Sequence, residues 1–158
     1  MIGEIRDEET ANIAVKATLT GHLVLSTLHS SDAVTAIQRL LNLGIAPDLL
    51  AETLTVIVSQ RLVHRLCSHQ NGKKSNPHTS DKNCLRCRYT GYSGRIPVYE
   101  ILKVNSLVRD RIQAGDTGRK LIRPEPELYF HTMEQTAQRL TKEGLTDWKE
   151  VQSLLLNV

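Results

Sequence analysis

The chain has 158 residues, of which 40% are hydrophobic and 23% charged, with a formal net charge of +3. These values are typical of a soluble globular protein that can bury one core. No apolar run reaches the roughly 18 to 20 residues that span a bilayer, and no signal peptide is evident, so we expect an intracellular protein. The basic residues are scattered and aromatic residues make up only 4% of the chain, which disfavours a nucleic-acid-binding surface.

The first elements alternate between strand and helix. Met1 and Ile2 have the character of a strand end, and we expect the chain to be the C-terminal part of a larger protein. Asp7 is a predicted helix cap, with acidic residues following it in the first turn, and Gly21 is the predicted stop. Residues 22–28 are short and apolar, which predicts a buried strand.

Two further helices are predicted before residue 66. Polar residues 30–32 offer caps for a helix that continues to about Leu43 and stops at Gly44. Pro47 is suited to the first turn of another helix, whose apolar face is predicted to extend as far as Leu62. This alternation of strands and helices predicts an α/β core with a mostly parallel sheet.

The character of the chain changes at Cys67. Residues 67–94 are rich in polar residues, glycine and proline, which predicts a long loop. Residues 95–104 predict a strand, and Pro97 favours an edge position for it. Amphipathic helices are predicted after this strand, two of them hinged at Gly144. The sequence therefore divides into three predicted segments: a core at 1–66, a loop insertion at 67–94, and an edge strand with helices at 95–158.

An acid and two histidines are the first candidate site residues. Glu4 follows an apolar segment, while His22 and His29 lie at the two ends of the next one. Such an arrangement suits a site that positions a metal-bound phosphate. On one strand the two histidines would point to opposite faces and lie roughly 23 Å apart, so they cannot share one metal ion there. The alternative is that Glu4 only caps a helix and that both histidines are ordinary strand ends.

Several ordered blocks of sequence resemble the secretion ATPases, the superfamily that drives type II secretion and type IV pilus assembly. Residues 3–11 (Gly-Glu-Ile-Arg-Asp-Glu-Glu-Thr-Ala) resemble its Walker B block, and residues 20–30 (Thr-Gly-His-Leu-Val-Leu-Ser-Thr-Leu-His-Ser) resemble its histidine box. Further blocks match in the same order, and the resemblance is weakest at 68–83 and 124–130. These further blocks are residues 59–63, 91–95 and 98–102, followed by the closing helices at 133–151.

The resemblance implies the C-terminal portion of a RecA-like ATPase domain, with a truncated parallel-sheet core, a metal-binding loop and a C-terminal helical subdomain. Glu4 would act as the Walker B glutamate on the attacking water and on the water shell of Mg²⁺. His22 would approach the γ-phosphate of ATP, and His29 would be the second histidine of the box. Gln60 and Arg61 are expected to contribute to nucleotide binding, with no step assigned to either.

The same resemblance implies a setting for the whole enzyme. Its members are hexamers at the cytoplasmic side of the inner membrane, peripheral to it, where they push on a membrane platform protein. The phosphate-binding motif Gly-x-x-x-x-Gly-Lys-Ser/Thr is absent from this sequence. We therefore expect the 158-residue chain alone neither to bind ATP well nor to hydrolyse it.

Three cysteines in an intracellular chain favour metal binding over disulfides. Cys84 and Cys87 have the spacing of a zinc knuckle. Related assembly ATPases carry two Cys-x-x-Cys pairs here, whereas this chain retains only Cys67 of the first pair and has glutamine at position 70. The resemblance thus predicts a Zn²⁺ site of Cys67, Cys84, Cys87 and a fourth ligand. His69 is the nearest candidate, His78 and His64 are alternatives, and a metal-free set of thiols is the other possibility.

Two functions from different classes follow. The leading interpretation is the C-terminal part of an ATPase motor. The alternative is a zinc-stabilised protein-interaction module in which the Walker B block is a non-catalytic remnant. A zinc-ribbon nucleic-acid binder is a third interpretation, disfavoured by the mild charge and by the few aromatic residues.

Overall fold

The computed structural model describes residues 1–67 and 84–155, with side chains through residue 153. It is a mixed α/β structure, and none of the helices in the described ranges is long and apolar enough to cross a membrane. In chain order the elements are α1 (Glu8–Leu19), α2 (Ala33–Asn42), α3 (Pro47–Thr53), β1 (Val56–Leu66), β2 (Tyr92–Lys103), α4 (Ser106–Gln113), a 3-10 turn (Gly118–Lys120), β3 (Phe130–His131), α5 (Met133–Lys142) and α6 (Trp148–Leu155).

The helix ends follow local chemistry. Asp7 caps α1 by accepting a hydrogen bond from the Thr10 amide at 2.8 Å, and Asp32 caps α2 in the same way through the Thr35 amide at 2.6 Å. Gly21 adopts a φ of +87°, the left-handed conformation that favours glycine after a helix. The predicted starts and stops of these two helices are confirmed.

The strands form one three-stranded sheet in the order β1-β2-β3. The Val104 amide donates to the Thr55 carbonyl at 2.9 Å, and the Cys67 amide donates to the Gly91 carbonyl at 2.8 Å. These two bonds pair the start of one strand with the end of the other, so β1 and β2 are antiparallel.

Two predictions about these strands are wrong. The helix expected to continue to Leu62 ends at Thr53, because the β-branched residues 56–58 enter β1 instead. The strand that carries Pro97 is central rather than at the edge, since β2 lies between β1 and β3. Because β3 is only two residues long, it flanks a short part of β2, and a proline is tolerated outside that part.

The predicted buried parallel strand at residues 22–28 is also wrong in the described structure. Residues 1–5 pair with this segment through a single parallel bridge between Glu4 and Thr27, with backbone hydrogen bonds from the Ile2 and Ile5 amides at 2.9 Å each. Because this pairing consists of a single bridge, residues 22–28 do not form one of the named strands. Leu23 and Leu25 are 85% and 60% exposed, so the segment is not buried either.

The chain forms two compact units. The first comprises residues 1–59 and 101–130, and the second comprises residues 60–100 and 131–158. In the described part of the first unit, the largest fully buried side chains are Ile37, Leu50, Leu102, Ile112 and Leu121. The core of the second unit contains Val63, Val98, Met133, Ala137, Leu140 and Val151.

Candidate functional site

Glu4 is the centre of a small charged cluster in the first unit. Its Oε2 accepts a hydrogen bond from Nε of Arg6 at 2.7 Å and forms an ion pair with Nη2 of the same residue at 2.6 Å. Its Oε1 lies 3.1 Å from Nε2 of His29, without hydrogen-bond geometry, so that contact is mainly electrostatic. The parallel bridge to Thr27 explains the contact, because it places His29 just beyond the residue that is aligned with Glu4.

The charges around Glu4 keep it ionised. The hydrogen bond from Arg6 holds the pKa of the Glu4 carboxyl below its ordinary value, and the charges of Arg6, His29 and Arg39 act in the same direction. Desolvation opposes them without reversing the shift. Glu4 is therefore a carboxylate near neutral pH, which is the state that can accept a proton from water or orient it.

His22 does not join this cluster. It is exposed, and its Nδ1 lies 3.1 Å from Oγ1 of Thr20, at the other end of the segment that leads to His29. Of the three predicted catalytic residues, the structure thus brings together Glu4 and His29 and places His22 apart from them. The catalytic roles assigned to these residues stay predictions.

Arg39 is a neighbour of the cluster that the sequence motifs did not indicate. Arg39 lines an open depression of about 350 Å³ together with His29 and other residues of α2. The helical spacing of α2 could have indicated Arg39. This helix starts soon after His29, and side chains three or four positions apart share the helix face that lies beside His29. The lining residues are His29, Thr35, Gln38, Arg39, Asn42 and Leu43.

Gln60 and Arg61, the predicted nucleotide-binding pair, lie in β1 within the second unit. Gln60 is exposed and Arg61 is half-buried. Their predicted contribution to nucleotide binding stays a prediction.

The three cysteines form a second candidate site. The ligand atoms of Cys67, Cys84 and Cys87 all lie within 4.8 Å of one another, and the sulfur atoms of Cys67 and Cys84 are 3.9 Å apart. Four thiolates at about 2.3 Å from a tetrahedral Zn²⁺ ion would be separated by about 3.8 Å, so the described thiols fit such an ion. Burial, and then the neighbouring thiols of Cys84 and Cys87, raise the pKa of Cys67 to about 11. A metal-free Cys67 is therefore a neutral thiol.

The turn that presents Cys87 is strained. Arg88 and Tyr89 have φ values of 48° and 70°, in the left-handed region that residues with a Cβ rarely adopt. The Thr90 amide closes the turn by donating to the Cys87 carbonyl at 3.0 Å. Non-glycine residues in this conformation are concentrated at functional sites, which agrees with a ligand-holding turn.

His64, one of the candidates for the fourth ligand, is not part of the cysteine cluster in the described structure, and its role as a ligand stays a prediction. Nδ1 of His64 lies 2.7 Å from Oε2 of Glu150, and among the described residues the cluster contains only the three cysteines. His69 and His78, the other predicted candidates, lie outside the described residues.

Comparison with known proteins shows the family of this chain. Residues 1–153 match the family model described as type II/IV secretion system protein. The chain belongs to this family. It is 41% identical to the type II secretion system protein E of Klebsiella pneumoniae, covering 96% of this chain and 33% of that protein. It is 36% identical to the type IV pilus assembly ATPase PilB of Thermus thermophilus, covering 96% of this chain and 19% of that one.

Solved structures agree with the family assignment. The pilus retraction motor PilT with bound ADP superimposes with a TM-score of 0.67 at 28% identity, covering 96% of this chain and 38% of PilT. The ATPase DotB of Legionella pneumophila has the same TM-score at 22% identity, over 99% of this chain and 38% of DotB, and supports the fold alone. The resemblance inferred from the sequence is confirmed. The chain spans about a third of the length of the type II secretion E protein that it matches.

Proposed function

We propose that this chain is the nucleotide-handling C-terminal part of an ATPase motor for type II secretion or type IV pilus assembly. The observation that carries the proposal is the approach of Glu4 Oε1 to His29 Nε2 at 3.1 Å, in a member of the secretion family. The proposal includes a RecA-like domain whose remaining parts, with the phosphate-binding loop among them, belong to the whole enzyme.

In the proposed reaction Glu4 acts on the attacking water. Arg6 fixes one carboxylate oxygen, and the other faces His29, so the side chain is oriented before nucleotide arrives. Mg²⁺ bound with ATP would neutralise phosphate charge at this site. His29 and His22 are proposed to contact the triphosphate, and Gln60 and Arg61 are proposed to help hold the nucleotide.

The proposed setting is that of the family. The whole enzyme would be a hexamer at the cytoplasmic side of the inner membrane, peripheral to it, and would transmit domain motion to a membrane platform protein. The cysteine cluster would hold Zn²⁺ as a structural ion, with His69 as the proposed fourth ligand. No direct contact with nucleic acid is proposed.

The genomic sequence before Met1 tests this proposal at low cost. An in-frame Gly-x-x-x-x-Gly-Lys-Ser/Thr about 60 to 70 residues upstream would support the motor. Titration of a fluorescent ATP analogue into the 158-residue chain is expected to show no micromolar binding. Tight binding by this chain alone, or a natural translation start at Met1, would count against the proposal.

The cysteine cluster supports the alternative function, a zinc-stabilised protein-interaction module with a non-catalytic ATPase remnant. The three thiols converge without any contribution from the Glu4 cluster, so they could be kept after catalysis was lost. The two functions differ in one measurement, which is ATP hydrolysis by the protein as its complete gene encodes it.

A further inference from the structure

We propose that a Zn²⁺ ion at the cysteine cluster holds helix α6 in place through Tyr92 and the end of β1. The inference rests on the proposed metal site of Cys67, Cys84 and Cys87 and goes beyond it, because it assigns the ion an effect on a helix outside the cluster of described ligand atoms. The cluster, the strand ends beside it and α6 all belong to the second unit.

The first step of the argument is the attachment of α6 to the edge of β1 that does not pair with β2. The Leu66 amide donates to the Leu145 carbonyl at 2.8 Å, and Oγ1 of Thr146 donates to the His64 carbonyl at 2.9 Å. The carboxylate of Glu150, in the first turn of α6, accepts a hydrogen bond from the His64 amide at 3.2 Å. The start of α6 and the loop before it are therefore bound to the end of β1.

The second step is the attachment of α6 to β2 through Tyr92. The hydroxyl of Tyr92 donates to Oδ2 of Asp147, and Oδ1 of the same carboxylate accepts from the Glu150 amide at 3.0 Å. Asp147 thus caps the first turn of α6 with one oxygen and binds the start of β2 with the other. Burial, together with the Asp147 carboxylate, raises the pKa of Tyr92, which keeps its hydroxyl protonated and able to donate.

The third step joins these attachments to the cysteine cluster. Cys67 directly follows β1, and its amide donates to the carbonyl of Gly91, the residue before Tyr92, at 2.8 Å. On the other side of the cluster, Oγ1 of Thr90 donates to the Cys87 carbonyl at 2.7 Å and accepts from the Tyr92 amide at 3.3 Å. An ion held by Cys67 and Cys87 would therefore fix the ends of both strands where α6 is attached.

The fourth step is the marginal stability of α6 itself. The helix has eight residues, and isolated helices shorter than about 12 residues are only marginally stable in water. Among its described side chains Val151 is fully buried, whereas Trp148 is 47% exposed. The helix thus depends on its attachments to β1 and β2, and loosening of the strand ends in the metal-free chain loosens α6 as well.

Hydrogen exchange of the α6 amides in the 158-residue chain tests the proposal, with Zn²⁺ bound and after its removal by a chelator under a reductant. Removal of the ion is expected to speed exchange in α6 at least about fivefold and to change α5 little. α5 is the internal control, because it starts with its own capping box and is bound to the middle of β2 through Thr136 and the Tyr99 carbonyl. Unchanged exchange in α6 after loss of bound Zn²⁺ would overturn the proposal.

A pair of tyrosine variants tests the path between the ion and the helix. Tyr92→Phe removes only the hydroxyl that binds Asp147 and should speed α6 exchange in the Zn²⁺-bound chain. Because coupling between two sites is reciprocal, the same variant should weaken Zn²⁺ binding severalfold in competition with a chromophoric chelator. Tyr99→Phe removes the equivalent atom from the middle of β2, beside His131, and should change neither quantity. Equal Zn²⁺ affinity in wild type and Tyr92→Phe would also overturn the proposal.

The outcomes separate this inference from the proposed metal site. Uptake of Zn²⁺ without protection of α6 overturns the inference and leaves the metal site standing. A wild-type chain that takes up no Zn²⁺ overturns the metal site, and the inference falls with it. Neither outcome bears on ATP hydrolysis by the complete enzyme.

Discussion

Oε1 of Glu4 lies 3.1 Å from Nε2 of His29, although the two residues belong to different sequence motifs. The parallel bridge between Glu4 and Thr27 brings the two motifs into register. The same register leaves His22 at the far end of its segment, in contact with Thr20. Pairing between two short segments therefore decides which histidine meets the carboxylate.

The cysteine cluster predicts a stoichiometric metal site. The chain purified without chelators is expected to contain one Zn²⁺ ion, because three thiols already lie within 4.8 Å of one another. Cys87→Ser should lose the ion and lower the melting temperature, since bound metal stabilises the folded chain. His64→Gln is the matched control, and it should keep the ion because His64 lies outside the cluster of ligand atoms in the described structure. Elemental analysis that finds no zinc in the wild-type chain would contradict the prediction.

Arg111 is a buried arginine that binds two backbone carbonyls and one carboxylate in the first unit. Its side chain is 9% exposed, and its Nη1 donates to the carbonyls of Leu121 and Arg123 at 3.1 and 3.0 Å, while Nη2 pairs with Glu125. Arg111→Met leaves these acceptors without a donor and should lower the free energy of unfolding by about 3 kcal/mol in urea denaturation. Arg109→Gln, an exposed neighbour on α4, should change it by less than about 0.5 kcal/mol. Similar losses of unfolding free energy in both variants would show that the contacts of Arg111 make no specific contribution.

Asp32 predicts an acid-dependent stability of α2. Burial raises the pKa of its carboxyl, but hydrogen bonds from Thr35, Ser31 and Val34 outweigh this, so the folded pKa is lowered. A lowered folded pKa gives a stabilisation that is complete above the unfolded pKa of about 3.9 and is lost as pH falls through the folded value. Asp32→Asn keeps a capping side chain without this titration.

Urea denaturation at several pH values measures the Asp32 effect. The difference in unfolding free energy between wild type and Asp32→Asn should shrink as pH falls below about 4. At neutral pH, Asp32→Ala should cost about 1 kcal/mol through loss of the cap. A difference that stays constant between pH 7 and pH 2 would show that the Asp32 carboxylate does not contribute as described.

Local signals made the helices predictable and left the sheet uncertain. The caps Asp7 and Asp32 act through amides within the same turn, so their effect is visible in sequence alone. The segment 56–62 has apolar residues at both ends and suits either a helix or a strand, and pairing with the distant β2 makes it a strand. The wrong predictions about the sheet concern segments whose structure depends on such tertiary contacts.

The candidate sites also combine features that sequence indicates with features that only the fold reveals. The motifs indicated Glu4, His29 and the three cysteines, because each lies in a short pattern with chemical meaning. Arg39 was missed, since its place beside His29 depends on the register and packing of α2. Sequence thus indicated the candidate groups, and the structure showed which of them lie close together.

ATP hydrolysis by the complete enzyme, compared between wild type and Glu4→Gln, tests the central claim most directly. Because Glu4 is proposed to act on the attacking water, the variant should retain nucleotide binding and lose at least about 100-fold in kcat. Glu9→Gln, which changes an exposed acid in the first turn of α1, is the matched control and should hydrolyse ATP at the wild-type rate. Equal rates for wild type and Glu4→Gln would contradict the account.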